Sequence, residues 1–193
     1  MTPSQIALAI LVLAASGAAS HAQMARDPNE PPLGRYHLWV KLAQTDFRDN
    51  AVAIWGVDRA PHVGLEFYRA FGRHYHFGGE IGKTSAGSAT NSQGQSIRDF
   101  GFRSLEINNK WAFDLKHGCT ADVGFGGVFF WVDGEAYSVP LATFGTGAQV
   151  FADLTWRVRR LLVGADVKYQ RAFDWLYLDY SNLRLGVHLG LAF

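Results

Sequence analysis

The sequence predicts an all-β protein, an eight-stranded antiparallel up-and-down transmembrane β-barrel, and three observations carry that prediction. From Gly34 onward, apolar and polar residues alternate with a period of two through eight segments. A strand does this because successive side chains point to opposite faces. No stretch of the 193 residues reaches the roughly 18 consecutive apolar residues that a membrane-crossing helix needs. The connections alternate as well, compact on one rim and mostly long or polar on the other, as in barrels whose short turns face the periplasm. The 18 basic and 17 acidic side chains nearly cancel, which argues against a nucleic-acid partner, since such proteins neutralise phosphate with an excess of Lys and Arg. A single thiol, Cys119, excludes an internal disulfide framework and a multi-cysteine zinc site.

The N-terminus is read as an address label. Ile6–Ala15 is a short apolar run that ends in small residues, with Ser20 and Ala22 at the −3 and −1 positions of a cleavage site. Residues 1–22 are therefore expected to be a signal peptide, although MTPSQ supplies no Lys or Arg. Residues 23–33, with Pro28, Pro31 and Pro32, read as an extended periplasmic leader, because proline cannot donate to a strand ladder. The barrel is expected over 34–193.

Each strand is then justified by its two faces. Arg35–Gln44 alternates Tyr36, Leu38, Val40 and Leu42 with His37, Trp39 and Lys41. His62–Phe71 and Tyr75–Lys83 form a hairpin about Gly72-Arg73-His74, with Val63, Leu65, Phe67, Tyr75, Phe77 and Ile81 opposite Gly64, Glu66, Tyr68, His76, Gly78 and Glu80. Thr84–Ser96 reads as a solvated loop. Ile97–Asn109 opposes Leu105 and Ile107 to Ser104 and Glu106, while Phe100, Phe102 and Arg103 blur the phase in the manner of a bulge. After a connection at Lys110–His117, Gly118–Trp131 sets Ala121, Val123, Phe125, Phe129 and Trp131 against Thr120, Asp122, Gly124 and Gly126. A loop is expected over Val132–Thr143. Phe144–Arg157 sets Ala148, Val150, Ala152, Leu154 and Trp156 against Gly145, Gly147, Gln149, Asp153 and Thr155. Leu161–Gln170 opposes Val163, Ala165, Val167 and Tyr169 to Gly164, Asp166, Lys168 and Gln170. Ser181–Phe193 closes the chain with Leu183, Leu185, Val187, Leu189, Leu191 and Phe193 opposite Asn182, Arg184, Gly186, His188 and Gly190.

Alternation is the same for a soluble barrel turned inside out, so the contents of the polar face decide between them. That face carries many glycines, which suit the narrow interior of eight strands. It also carries Lys41, Glu66, Glu80, Glu106, Asp122, Asp153, Asp166, Lys168 and Arg184. Such charges would spoil an apolar ligand cavity but can satisfy one another in a lumen. Aromatics gather toward the strand ends: Trp55, Phe130, Trp131, Phe144, Trp175 and Tyr177 toward the loop rim, and Phe71, Tyr75, Trp111, Trp156 and Phe193 toward the turn rim. Membrane-interface girdles are built that way. The expected interior is a charge network of Lys41, Glu66, Glu80, Glu106, Asp122, Asp166, Lys168 and Arg184, with no cofactor and no metal site.

The closing segment Leu161–Phe193 and the hairpin His62–Gly82 resemble the OmpA/OmpX/opacity-type small outer-membrane barrels. The resemblance implies a bacterial outer-membrane location and a C-terminal signal, Val187, Leu189, Leu191 and Phe193, read by the barrel assembly machinery. It further implies contact with outer-membrane lipids and lipopolysaccharide, and loops open to an extracellular ligand. The peptidoglycan-binding domain of full-length OmpA proteins is expected to be absent. A structural or surface-interaction role follows, with a small-solute or ion channel as the alternative.

A third reading is a lipid A-modifying enzyme. Some similar barrels use a His-x-Ser-Asn motif for 3-O-deacylation, and Asp179-Tyr180-Ser181-Asn182 retains the Ser-Asn pair without the histidine. His188 lies seven residues beyond Ser181, over about 20 Å along a strand, so nucleophile and base do not meet on one strand. The remaining histidines, among them His62, His74, His76 and His117, are read as rim or lumen hydrogen-bonders, and Cys119 as a packed thiol. Arg69, Arg73, Lys110, Lys116, Arg157, Arg159 and Arg160 make the turn rim basic, whereas Asp46, Asp49, Asp58, Asp133, Glu135, Asp174 and Asp179 make the loop rim acidic. Basic turns suit inner-leaflet phosphates.

Overall fold

A computed structural model describes residues 31–47, 56–115, 117–136, 138–173 and 180–193. Eight strands follow one another: β1 (Tyr36–Asp46), β2 (Arg59–Ala70), β3 (Tyr75–Thr90), β4 (Ser96–Asp114), β5 (Cys119–Ala136), β6 (Val139–Val158), β7 (Leu161–Ala172) and β8 (Asn182–Ala192). Each pairs antiparallel with its neighbour, and β1 pairs with β8 to close the barrel. Closure leaves no edge through the ring, which is what a sheet needs to cross lipid.

The two faces separate as the alternation predicts. Leu38, Val40, Leu42, Val63, Leu65, Ile81, Val123, Val150, Leu185 and Leu189 are exposed on the outside, while Lys41, Glu66, Glu80, Glu106, Lys168 and Arg184 are buried inside. In water such a surface would be a large aggregation liability; against acyl chains it is the matched solvent. Trp131 and Phe144 pack together on the outer wall at 5.5 Å. Tyr36 stacks on Phe67 and Phe193 at 6.2 and 6.3 Å at the turn-side end.

Five expectations need correction. The segment Thr84–Ser96 is largely strand, since β3 continues to Thr90 and β4 starts at Ser96. The segment Val132–Thr143 is largely strand as well, since β5 continues to Ala136 and β6 starts at Val139. Both hairpins keep their ladders well beyond the lipid-facing wall, where water replaces oil and the hydropathy contrast that marks a strand disappears. Lys110 belongs to β4, not to a connection, and lies inside the barrel. Phe130 is not a girdle residue either, because it is buried in the interior. Finally, Pro31–Gly34 is not extended: the Gly34 N–H donates to the Pro31 carbonyl at 2.9 Å. Gly34 sits at φ 87° there, a backbone that glycine adopts without strain. This turn folds Leu33 into the turn-side mouth against Trp39, Ala112, Leu162 and Ala192.

The blurred phase in β4 is a bulge. Its pairing with β5 shifts register between Arg98 and Gly101, Asp99 takes φ 51°, and Phe100, Gly101 and Phe102 are buried in succession. Residues 1–22, expected to be a signal peptide, residues 23–30 of the expected leader, Asp49, Trp55, Lys116, Asp174, Trp175, Tyr177 and Asp179 lie outside the described residues.

Candidate functional site

The site that the fold builds is the lumen, which is layered along the barrel axis. At the loop end lies an apolar plug of Phe47, Val57, Ala60, Ile97, Phe100, Phe102, Val128, Phe130, Val132, Ala172 and Tyr180. The bulge supplies two of these rings, and Phe102 stacks on Phe130 at 5.2 Å. Burial there pushes the Tyr180 hydroxyl up to about 12, because an ionised phenol loses its hydration in such surroundings. At the turn end the Leu33 cluster closes the opposite mouth. Between the plugs lie two belts of charge.

The loop-side belt centres on Glu80 and Glu106. Lys168 Nζ lies 2.6 Å from Glu80 Oε2 and 2.5 Å from Glu106 Oε2. Arg184 Nη1 donates to Glu80 Oε1 at 3.1 Å, and its Nη2 donates to Glu106 Oε1. Glu106 also accepts from Gln149 at 2.9 Å, Gln170 at 2.8 Å and Ser104 at 3.2 Å. His62 Nε2 lies 2.8 Å from Glu80 Oε1, with its Nδ1 2.8 Å from Thr84 Oγ1. Two carboxylates face two cations, and β2, β3, β4, β6, β7 and β8 are tied across the interior.

The turn-side belt is built differently. Lys41 Nζ is 3.1 Å from Glu66, 3.6 Å from Asp166 and 3.8 Å from Asp153. Lys110 Nζ is 2.7 Å from Asp122 and 3.6 Å from Asp153. It also lies 3.7 Å from the ring centre of Trp39 and 4.2 Å from that of Tyr68. Four carboxylates here face two cations. Apart from these ammonium contacts the carboxylate oxygens of Asp122 and Asp153 have no partner among the described residues, and both ring nitrogens of His37 and of His76 lack a hydrogen bond there. Asp153, Asp166 and His188 bring three ligand atoms within 4.8 Å of one another. The Lys41 ammonium beside both carboxylates already supplies the positive charge that a metal ion would bring.

All eight network residues named from the sequence line the lumen, as do Asp153, which the sequence also placed on the polar face, and Lys110, which it did not. Sequence reasoning missed the aromatic filling, although a signal for it was present. Inward glycines sit directly across the ladder from inward rings: Gly190 from Trp39, Gly78 from Tyr68, Gly145 from Phe130 and Gly124 from Phe151. A Cβ at Gly190 would meet the Trp39 ring, and one at Gly145 the Phe130 ring. The glycines make room in an interior already filled.

Other sequence candidates fall elsewhere. Val187, Leu189, Leu191 and Phe193 point outward, and Phe193 exchanges two 2.8 Å backbone hydrogen bonds with Tyr36. Ser181 Oγ accepts from the Ala172 N–H at 3.1 Å. His188 stacks on Trp39 at 4.2 Å and bonds Thr155. His74 and His117 lie in turn-side connections, and Cys119 is a buried free thiol.

A scan against family models and a search of curated proteins each found no match. Among solved structures the chain is similar to Neisserial surface protein A, NspA, at 8% identity and TM-score 0.65 over 83% of this chain and 98% of that one. It is similar to the outer membrane protein OprG of Pseudomonas aeruginosa at 10% identity and TM-score 0.61, over 86% and 98% of the two chains. The N-terminal barrel domain of Pseudomonas aeruginosa OprF follows at 9% identity and TM-score 0.52, over 80% and 96%. At such identities the likeness is one of fold. The fold is that of the small eight-stranded outer-membrane β-barrels.

Proposed function

We propose that the protein is a sealed barrel of the bacterial outer membrane with a structural and surface-interaction role. The observation that carries this reading is the closed interior: two salt-bridged belts capped by an apolar plug at each end. Eight strands enclose just enough space for side chains, and here side chains fill it. The part exposed outside the cell is then the β3–β4 and β5–β6 projection, offered to lipopolysaccharide or an external ligand. Outer-membrane lipids meet the apolar wall, and Val187, Leu189, Leu191 and Phe193 serve as the signal to the barrel assembly machinery. The protein acts without catalysis in this reading.

Planar-bilayer recordings test the sealed interior. Purified monomer is expected to give no steady conductance. Stable nanosiemens-scale steps would overturn the reading in favour of a channel.

A further inference from the structure

The turn-side rim carries a cleft that the lumen does not explain. It has a volume of about 340 Å³, and its walls include Pro31, Arg35, Tyr36, Arg69 and Arg73. The space is roughly ten times the ~30 Å³ share of one liquid water. Three of its lining residues are arginines. Arg73 lies 3.6 Å from Asp114, whereas Arg35 and Arg69 have no carboxylate within ion-pair distance among the described residues. The Arg69 guanidinium lies 5.0 Å from the ring centre of Phe71 and 5.8 Å from that of Tyr36. Those rings hold it by cation–π attraction, and its guanidinium N–H groups have no hydrogen-bond partner among the described residues. The walls are joined by the Ala70 N–H, which donates to the Arg35 carbonyl at 2.7 Å.

What lies beside the cleft selects its ligand. Tyr36 stacks on Phe67 and Phe193, the last aromatic layer of the oil-facing wall. An anion here is one ring away from acyl chains. Guanidinium forks match phosphate oxygens in pairs, and such charge-assisted bonds are the strong ones. A free phosphate ion gains only those bonds, while a lipid phosphate gains them and keeps its chains on the apolar wall. A zwitterionic headgroup brings an ammonium toward three arginines; an anionic one does not.

We propose that this cleft binds the phosphate of an anionic phospholipid in the leaflet that meets the turns. The proposal rests on the outer-membrane reading above and assigns its lipid contact to named residues. Each arginine near an anionic surface is worth about 1 kcal/mol, close to fivefold in retained lipid.

Native mass spectrometry of the whole protein, taken from detergent with equal phosphatidylglycerol and phosphatidylcholine, reads the result directly. The wild type is expected to retain phosphatidylglycerol preferentially. R35Q/R69Q/R73Q is expected to lose that preference, and K83Q/R103Q, altered at exposed cations of the other rim, to keep it. Equal retention by the triple variant and the wild type, or equal loss in both variants, would overturn the proposal. Displacement of the lipid by excess inorganic phosphate would overturn its lipid specificity and leave a free-anion site. Conductance of the wild-type preparation separates the two readings: a silent wild-type barrel with no lipid preference contradicts only the cleft, and a conducting wild-type barrel with the preference contradicts only the sealed lumen.

Discussion

The two charge belts are made of the same residue types and hold their charges in different ways. In the loop-side belt, Glu80 and Glu106 are matched by Lys168 and Arg184 at hydrogen-bonding distance, and Gln149, Gln170 and Ser104 occupy the remaining oxygens. In the turn-side belt, Glu66, Asp122, Asp153 and Asp166 share Lys41 and Lys110, several contacts reach 3.6 to 3.8 Å, and aromatic faces take part of the positive charge. The excess of carboxylates over cations in the lumen is therefore confined to one end. Buried charges cost several kcal/mol each to desolvate, and only short, fully bonded pairs offset that cost. The loop-side belt is a clamp; the turn-side belt is a looser, negatively biased layer.

Cutting the clamp should have the largest effect. Arg184→Met leaves Glu80 and Glu106 short of a cation, and a loss of about 3–5 kcal/mol is expected. Urea unfolding in lipid vesicles, followed by tryptophan emission, measures it. Lys110→Met in the other belt should cost less, about 1–3 kcal/mol, because only Asp122 loses a short ammonium contact, at 2.7 Å, while Asp153 keeps Lys41 at 3.8 Å. A Lys110→Met penalty equal to that of Arg184→Met would erase the difference between the belts. Asp153→Asn sharpens the point further. Its two lysine contacts are 3.8 and 3.6 Å and both lysines keep nearer partners, so the change should stay within about 1 kcal/mol of wild type. The smallest effect belongs to the exposed pair Arg103–Asp133, 3.3 Å apart with side chains 59% and 46% exposed. Arg103→Gln should shift the unfolding curve by no more than about 0.5 kcal/mol.

The legible and illegible parts of the molecule divide along the same physical line. Lumen residues such as Glu66, Lys168 and Arg184 could be read from the sequence because oil on one side and charge on the other give a strict period of two. Lys110 escaped because the reading ended its strand at Asn109, although Trp111 and Phe113 continue the outward row. The bulge at Asp99 could be suspected from Phe100 and Phe102, but which rings turned inward depended on a register shift that no local pattern encodes. Beyond the lipid wall, Ser85–Thr90 and Asp133–Ala136 pair into ladders that carry no outward apolar row, so hydropathy gives no strand signal there. The arginine cleft was visible only as rim charge, since its concavity comes from the Pro31–Gly34 turn meeting the end of β2.

Everything rests on which rings meet lipid. Trp131 is 45% exposed on the outer wall, and Trp39 is 0% exposed inside. Two single-tryptophan variants, each keeping one of these with phenylalanine at the other five positions, can be placed in bilayers whose acyl chains carry bromine near the headgroup. The account predicts strong quenching of Trp131 and emission from Trp39 that stays close to its unbrominated level. Quenching of Trp39 as deep as that of Trp131 would contradict it.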